Sequence, residues 1–237
     1  MKILAVGDIH TKTWIIDLVE SVIENYDAVV FVGDYADDFN TSAIKSIETW
    51  KKLRYLMGEF PKVSAVYGNH DFIYVNKTPT KQSGYDYTTQ TLINAPENRD
   101  LKEWLLALPP IIQMDGVFYS HAGIDENWVE AGKKLDWHGE MNVEQMWRDV
   151  SPIWTRPDWA KYQKVPQVFG HTPSKTCWEV EKNIWCIDTF STYSDNSPYG
   201  DGTMLEVVNG QKFKKIKINA NHNDPSGIEG GVPRPSP

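Results

Sequence analysis

An α/β fold whose first half carries a parallel sheet is predicted by two features of this chain. Short apolar runs alternate with helix-spaced segments up to about residue 67, and after residue 110 hairpins with Asp-Gly, Lys-Asn and Asn-Gly turns take over. KILAVGD (2–8) suits a buried strand, and residues 13–25 then place Trp14, Leu18, Val22 and Ile23 at helical spacing. AVVFV (28–32) is a second strand. A helix over about 42–60 follows, with Ile44, Ile47, Leu53 and Leu56 on one side and Asn40 or Thr41 as N-cap. VSAVY (63–67) is the third strand, and this alternation implies right-handed crossovers and a sheet covered on both faces. The second half predicts a hairpin over 111–120 turning at Asp115-Gly116, a helix over 142–150 and a strand at VPQVFG (165–170). Two more hairpins are expected, 176–188 around Lys182-Asn183 and 203–218 around Asn209-Gly210. From Asn219 to Pro237 the composition turns to Asn, Gly, Pro and Ser without apolar periodicity, which predicts a disordered tail; its PRPSP stretch is read as plain solvated chain.

The 237 residues suffice for one domain with a sizeable core and do not force a second. Hydrophobic residues at 41% and charged residues at 24% exclude the disordered and fibrous classes. No apolar run reaches the ~18 residues of a membrane helix, and MKILAVGDIH lacks a small-residue cleavage site, so a cytoplasmic location is expected. Cys177 and Cys186 are too few for a disulfide framework and do not have zinc-pair spacing; reduced core thiols are expected. A net charge of −8 disfavours nucleic-acid partners, whose binding depends on Lys and Arg displacing counterions from phosphates. The ten tryptophans have no fixed period and are read as packing residues.

One pattern recurs: an apolar strand, then Gly, then a side chain able to bind metal. It occurs in AVGD at Asp8, FVGD at Asp34, VYGN at Asn69 and VFGH at His171. Glycine at a strand end allows close approach of a neighbour that a Cβ would obstruct. In an open parallel sheet the carboxyl ends of strands share one edge, so Asp8, Asp34 and Asn69 would converge there. GDIH adds His10, close enough to Asp8 for both to reach one ion, and SHAG adds His121. Imidazole, carboxylate and amide oxygen suit Mn, Fe or Zn, and the lack of Cys ligands argues against a closed structural zinc site.

The ordered series GDIH, GDYADD, GNHD, SHAG and FGHT, spanning residues 8–172, resembles the calcineurin-like metallophosphoesterases, and within them the phosphoprotein phosphatase branch with its bacterial and phage members. The resemblance implies two packed mixed sheets flanked by helices, an αββα sandwich, with residues 1–218 as the catalytic domain. It implies that Asp8 and His10 bind one metal, that Asp34 bridges, and that Asn69, His121 and His171 bind the second, with Asn69 also touching substrate. It makes His70 the proton donor to the leaving group and Asp37 its orienting carboxylate. Two cations ~3.5–4 Å apart would clamp a phosphoryl group and lower the pKa of a shared water towards neutrality. Two divalent ions are therefore expected, manganese first, with iron or zinc as alternatives.

The expected activity is hydrolysis of phosphomonoesters, on protein or on a small metabolite. The alternative is a dinucleoside polyphosphate hydrolase or phosphodiesterase with the same centre; a non-catalytic binding module is least favoured, because every ligand and His70 are present. Asp38 and Tyr67 stand where the phosphoprotein phosphatases carry phosphate-gripping arginines, and Arg156 in IWTRP, which resembles an arginine of bacterial members and of the related dinucleoside tetraphosphatases, is either the substitute or a surface salt-bridge residue. His138 and His222 match no motif and are read as surface residues. Asp71 is assigned either to hydrogen bonds behind the site or to a turn.

Overall fold

The structure, a computed structural model, describes residues 1–76, 83–124, 151–160 and 165–217. The expected helix over 142–150, His138, His222 and the tail 219–237 lie outside the described residues. The first sheet has the order β10-β9-β1-β2-β3, from β1 (Lys2–Val6), β2 (Ala28–Phe31), β3 (Val63–Ala65), β9 (Met204–Val208) and β10 (Lys212–Ile216). The second has the order β4-β5-β6-β8-β7, from β4 (Ile111–Met114), β5 (Val117–Ser120), β6 (Gln167–Phe169), β7 (Trp178–Glu181) and β8 (Ile184–Cys186). In the first sheet β1, β2 and β3 are parallel and run to one edge, with β9 and β10 paired antiparallel on the other side of β1; in the second the central β5, β6 and β8 are parallel, with antiparallel β4 and β7 at the edges. Both sheets are thus mixed, and the parallel arrangement foreseen for the first half of the chain is the β1-β2-β3 side of the first sheet.

Strand alternation explains the layers. Leu4, Val6, Val29 and Phe31 face the helices, whereas Ile3, Ala5, Ala28 and Val30 pack with Val117, Tyr119, Val168 and Ile187 between the sheets. With both faces covered, these strands read as continuous apolar runs instead of alternating ones. On the outer side of the second sheet, Phe169, Ile184 and Cys186 pack against Ala160 from a helical turn at Pro157–Ala160.

Helix α1 (Thr13–Val22) tightens into a 3-10 turn at Ile23–Asn25; its buried face is Ile15, Ile16, Leu18 and Val19, while Trp14 is exposed and meets Phe190 edge-on. Helix α2 (Ala43–Glu59) buries Ile47, Trp50, Leu53 and Leu56, and Ile44, expected on that stripe, is exposed. Its N-cap is Ser42, not Asn40 or Thr41: the Asn40 side chain instead donates to the Ser194 carbonyl at 2.9 Å, tying two loops together. Three helices were not foreseen: α3 (Asn69–Val75), α4 (Tyr87–Ile93) and α5 (Arg99–Ala107). Asp86 caps α4, accepting from the Thr88 and Thr89 amides at 3.0 and 3.1 Å. All three hairpin turns stand where expected, with Asp115, Asn183 and Asn209 in the left-handed region at φ 51, 64 and 52°. Both cysteines are buried and free, and burial pushes the Cys177 thiol up to about 11, as befits inert core thiols. Among the described residues no helix is long and apolar enough to cross a membrane.

Candidate metal centre and catalytic site

The parallel strands of both sheets deliver polar side chains to one place. Asp8, Asp34 and Asn69 follow β1, β2 and β3, while His121, His171 and Asp188 follow β5, β6 and β8. Asp8, His10, Asp34, Asn69, His70, His171, Asp188 and Arg156 all line one cavity of about 230 Å³. Asp8, Asp34 and His121 each offer a ligand atom within 4.8 Å of the others. His121 Nε2 lies 3.4 Å from Asp34 Oδ1 and 2.7 Å from Asn69 Oδ1, and His171 Nδ1 is 2.9 Å from the same Asn69 oxygen. On the other side, His10 Nε2 is 3.9 Å from Asp34 Oδ2. Asp34 therefore stands between two groups of donors.

The close glycines make this convergence possible. A Cβ on Gly68 would overlap Oδ1 and the amide of Asp34, and one on Gly170 would overlap Asp8 Oδ1 and sit 2.8 Å from its Cγ. Each glycine clears space for a carboxylate arriving from a different strand. His10, Asp34, Asp37 and His171 hold φ of 38, 53, 59 and 66°, a left-handed conformation that costs energy for non-glycine residues and clusters at functional sites.

Hydrogen bonds behind the centre orient it. His10 Nδ1 donates to the Asp37 carbonyl at 2.8 Å and His121 Nδ1 donates to the Val32 carbonyl at 3.0 Å. In both rings the proton is thereby placed on Nδ1, leaving the Nε2 lone pair turned towards Asp34 in His10 and towards Asn69 and His171 in His121. Buried Asp71 accepts from Trp50 Nε1 at 2.7 Å, Gly68 N at 3.0 Å, and Tyr35 N and Ala36 N at 3.1 Å. It fixes the turn after Asp34 to the turn before Asn69, the turn-holding role considered for it.

His70 Nδ1 donates to Asp37 Oδ2 at 3.0 Å, and its backbone amide donates to Asp34 Oδ1 at 2.9 Å. Tyr74 donates its hydroxyl to the other Asp37 oxygen at 2.6 Å and accepts from the Asp86 amide at 2.8 Å. This leaves His70 Nε2 aimed into the cavity, 4.0 Å from Asp34 Oδ2. Burial pushes Asp37 up to about 7 and His70 down to about 4.

Burial has the same effect throughout the centre. It raises Asp8 and Asp34 well above the usual carboxylate range, helped at Asp8 by the charges of Asp188 and Asp34 and at Asp34 by those of Asp71 and Asp188, and it lowers His121 and His171, the latter to about 3. Three buried carboxylates around neutral imidazoles suit divalent cations. Two buried atoms without a hydrogen-bond partner, Asp8 Oδ1 and His171 Nε2, belong to this cluster. The donor set, oxygen and imidazole nitrogen without sulfur, fits Mn, Fe or Zn.

All the residues singled out in the sequence, Asp8, His10, Asp34, Asp37, Asn69, His70, His121, Arg156 and His171, are brought together here. Arg156 is exposed at the mouth, with Nη1 3.4 Å from the His171 carbonyl and 3.3 Å from Thr172 Oγ1. Asp38 does not face the cavity as an open charge: Lys12 Nζ is 2.5 Å from one oxygen and Thr192 Oγ1 donates to the other at 2.6 Å. Tyr67 is buried and stacks on Phe72. Sequence reasoning missed Asp188, which is buried, accepts from Ser191 Oγ at 2.7 Å and lines the cavity, and it missed Tyr74. The signal for Asp188 was present, since it ends the apolar run IWCI, but no glycine precedes it.

The family model of the calcineurin-like phosphoesterases matches residues 1–194, which include every residue of this centre. The chain belongs to this family. A symmetrical bis(5'-nucleosyl)-tetraphosphatase from Janthinobacterium sp. is 25% identical over 213 residues, covering 88% of this chain and 64% of its own length. This chain thus spans slightly less than two thirds of that relative. Among solved structures, a cold-active protein-tyrosine phosphatase from Shewanella sp. superposes with a TM-score of 0.62 at 17% identity, covering 91% of this chain and 80% of that one. A protein serine/threonine phosphatase from Saccharomyces cerevisiae gives a TM-score of 0.62 at 14% identity, covering 94% and 82%. At such identities these structures show the shared fold alone, two mixed sheets flanked by helices.

Proposed function

We propose that this chain is a two-metal phosphomonoesterase, acting on phosphorylated protein or a small phosphorylated metabolite. The observation that carries the reading is the position of Asp34, with one oxygen towards His121, which itself meets Asn69, and the other towards His10. Asp8, His10 and Asp34 would hold one cation, and Asp34, Asn69, His121 and His171 the other. Manganese is the first candidate, with iron or zinc as alternatives. Bound together, the two cations supply charge stabilisation to the phosphoryl oxygens and lower the pKa of a water.

The side chains around them do the remaining work. His70 Nε2 gives a proton to the departing oxygen, and Asp37 with Tyr74 holds the ring for that transfer. A phosphate dianion beside His70 favours the imidazolium, offsetting the burial that lowers its pKa. Arg156 reaches phosphoryl oxygens from the mouth, in place of the arginines replaced by Asp38 and Tyr67.

A second reading, hydrolysis of dinucleoside polyphosphates, is supported by the likeness to the Janthinobacterium tetraphosphatase and by the exposed position of Arg156, where a longer phosphate chain could reach it. To test the first reading, chelator-treated protein is given Mn, Zn or Mg and assayed on phosphopeptides, small monoesters and dinucleoside polyphosphates. Metal-restored release of inorganic phosphate from monoesters is expected. Turnover of polyphosphates alone would favour the second reading, and no turnover of either class with any metal would refute both.

A further inference from the structure

We propose that a second cavity beside the metal centre is the subsite for the leaving group, and that it takes an uncharged aromatic ring, as in an aryl phosphate or a phosphotyrosyl side chain. This rests on the phosphomonoesterase reading above. The cavity, about 170 Å³, is continuous with the metal cavity: His10, His70, Ser83, Pro173 and Ser191 line both. His70 stands at the junction. If its Nε2 protonates the departing oxygen, that oxygen sits at the junction and the rest of the alcohol extends into the second cavity.

The walls there select the alcohol. Phe39 is 50% exposed, an apolar ring left half in solvent at the rim, and Pro173 and Gly84 add apolar surface. Aromatic rings gain about 0.5–1.5 kcal/mol from stacked or edge-on pairing beyond the area they bury. Charge points the same way. Asp38 has its oxygens held by Lys12, by Thr192 and by the Phe39 amide at 2.9 Å, so this wall carries Asp37 and Asp38 and, among the described residues, no lysine or arginine to meet a further phosphate. The cavity is also preformed, because the Phe39 loop is bonded to the 191–200 loop through Asp38 to Thr192 and Asn40 to Ser194. Pockets for drug-sized ligands measure about 300–1,000 Å³, so this smaller space suits a single ring better than a nucleoside.

The test is calorimetric titration of the full, Mn-loaded chain with phenylphosphonate and methylphosphonate, which share the phosphoryl group and differ in the ring. Phenylphosphonate is expected to bind about 10-fold more tightly; Phe39→Ala should bring that ratio close to one, and Phe39→Tyr should restore it. Equal affinities in the wild type, a preference that survives Phe39→Ala, or no measurable binding of phenylphosphonate would each overturn the subsite. The catalytic reading is judged separately by phosphate release. A ring preference without hydrolysis would refute the phosphatase and leave the subsite, whereas hydrolysis without a ring preference would do the reverse.

Discussion

Substituting Gly170 by alanine adds only one methyl group, yet it should disable the centre. The new Cβ would overlap Asp8 Oδ1 and lie 2.8 Å from Cγ, so the carboxylate must move by more than about 1 Å to restore ordinary contact. Asp8 is fully buried and its Oδ2 is held by the His171 amide at 2.8 Å, so it cannot withdraw without losing that bond and its aim at the cation. Misplacing a catalytic group by about 1 Å costs on the order of 10²-fold in rate, and overpacking a buried position costs about 1–3 kcal/mol of stability. Gly170→Ala should therefore lower kcat/KM on a phosphomonoester about 10²-fold or more, with weakened metal binding and a midpoint in urea shifted by no more than that stability cost. Gly58→Ala is the control: nothing lies within 4 Å of its added Cβ, and alanine near the end of α2 should leave activity alone and stabilise by about 0.5–1 kcal/mol. Full metal content with near wild-type turnover in Gly170→Ala would refute the reasoning that glycine is required there for carboxylate approach.

Four further outcomes are expected. Asp34→Asn should lose activity and at least one metal, since the amide has one acceptor oxygen and no charge; two bound ions by elemental analysis would contradict this. His70→Ala should retain both metals and lose about 10²–10⁴ in kcat on an alkyl phosphate, with a smaller loss on a nitrophenyl ester, and equal losses would remove His70 from protonation of the leaving oxygen. Arg156→Lys should cut kcat/KM for a small monoester by about 10-fold, about 1.4 kcal/mol, because an ammonium cannot reproduce the guanidinium fork. A loss confined to dinucleoside polyphosphates would instead favour the second substrate class. Asp188→Asn keeps an acceptor for Ser191 but removes a buried charge beside Asp8, so the metal concentration giving half activity should rise about 10- to 100-fold, and an unchanged value would leave Asp188 a purely structural role.

The parts of this molecule that were legible in the sequence share a physical cause. Strands buried on both faces must be apolar throughout, and a side chain able to bind metal at the end of such a strand stands out when glycine precedes it, as for Asp8, Asp34, Asn69 and His171. Asp188 performs the same geometry without the glycine: Gly7, across from it, supplies the room, since a Cβ there would overlap the Ile187 carbonyl and come 3.4 Å from Asp188 Cα. The Tyr74 to Asp37 bond spans 37 residues, and the Lys12 to Asp38 pair joins two loops, so neither leaves a local trace. Helices α3 to α5 are seven to nine residues long, too short for periodicity to declare them, and they are held by tertiary burial of residues such as Phe72, Ile93 and Leu105. The Trp14 assignment failed because the buried stripe of α1 begins at its neighbours Ile15 and Ile16, about 100° and 200° further round the helix, and Ile44 likewise lies off the buried Ile47–Trp50–Leu53 face of α2.

The most direct test of the account is anomalous diffraction from crystals grown with Mn. The account requires two peaks ~3.5–4 Å apart, one on each side of the Asp34 carboxylate, the first touching Asp8 and His10 and the second Asn69, His121 and His171. A single peak, or peaks away from Asp34, would contradict it.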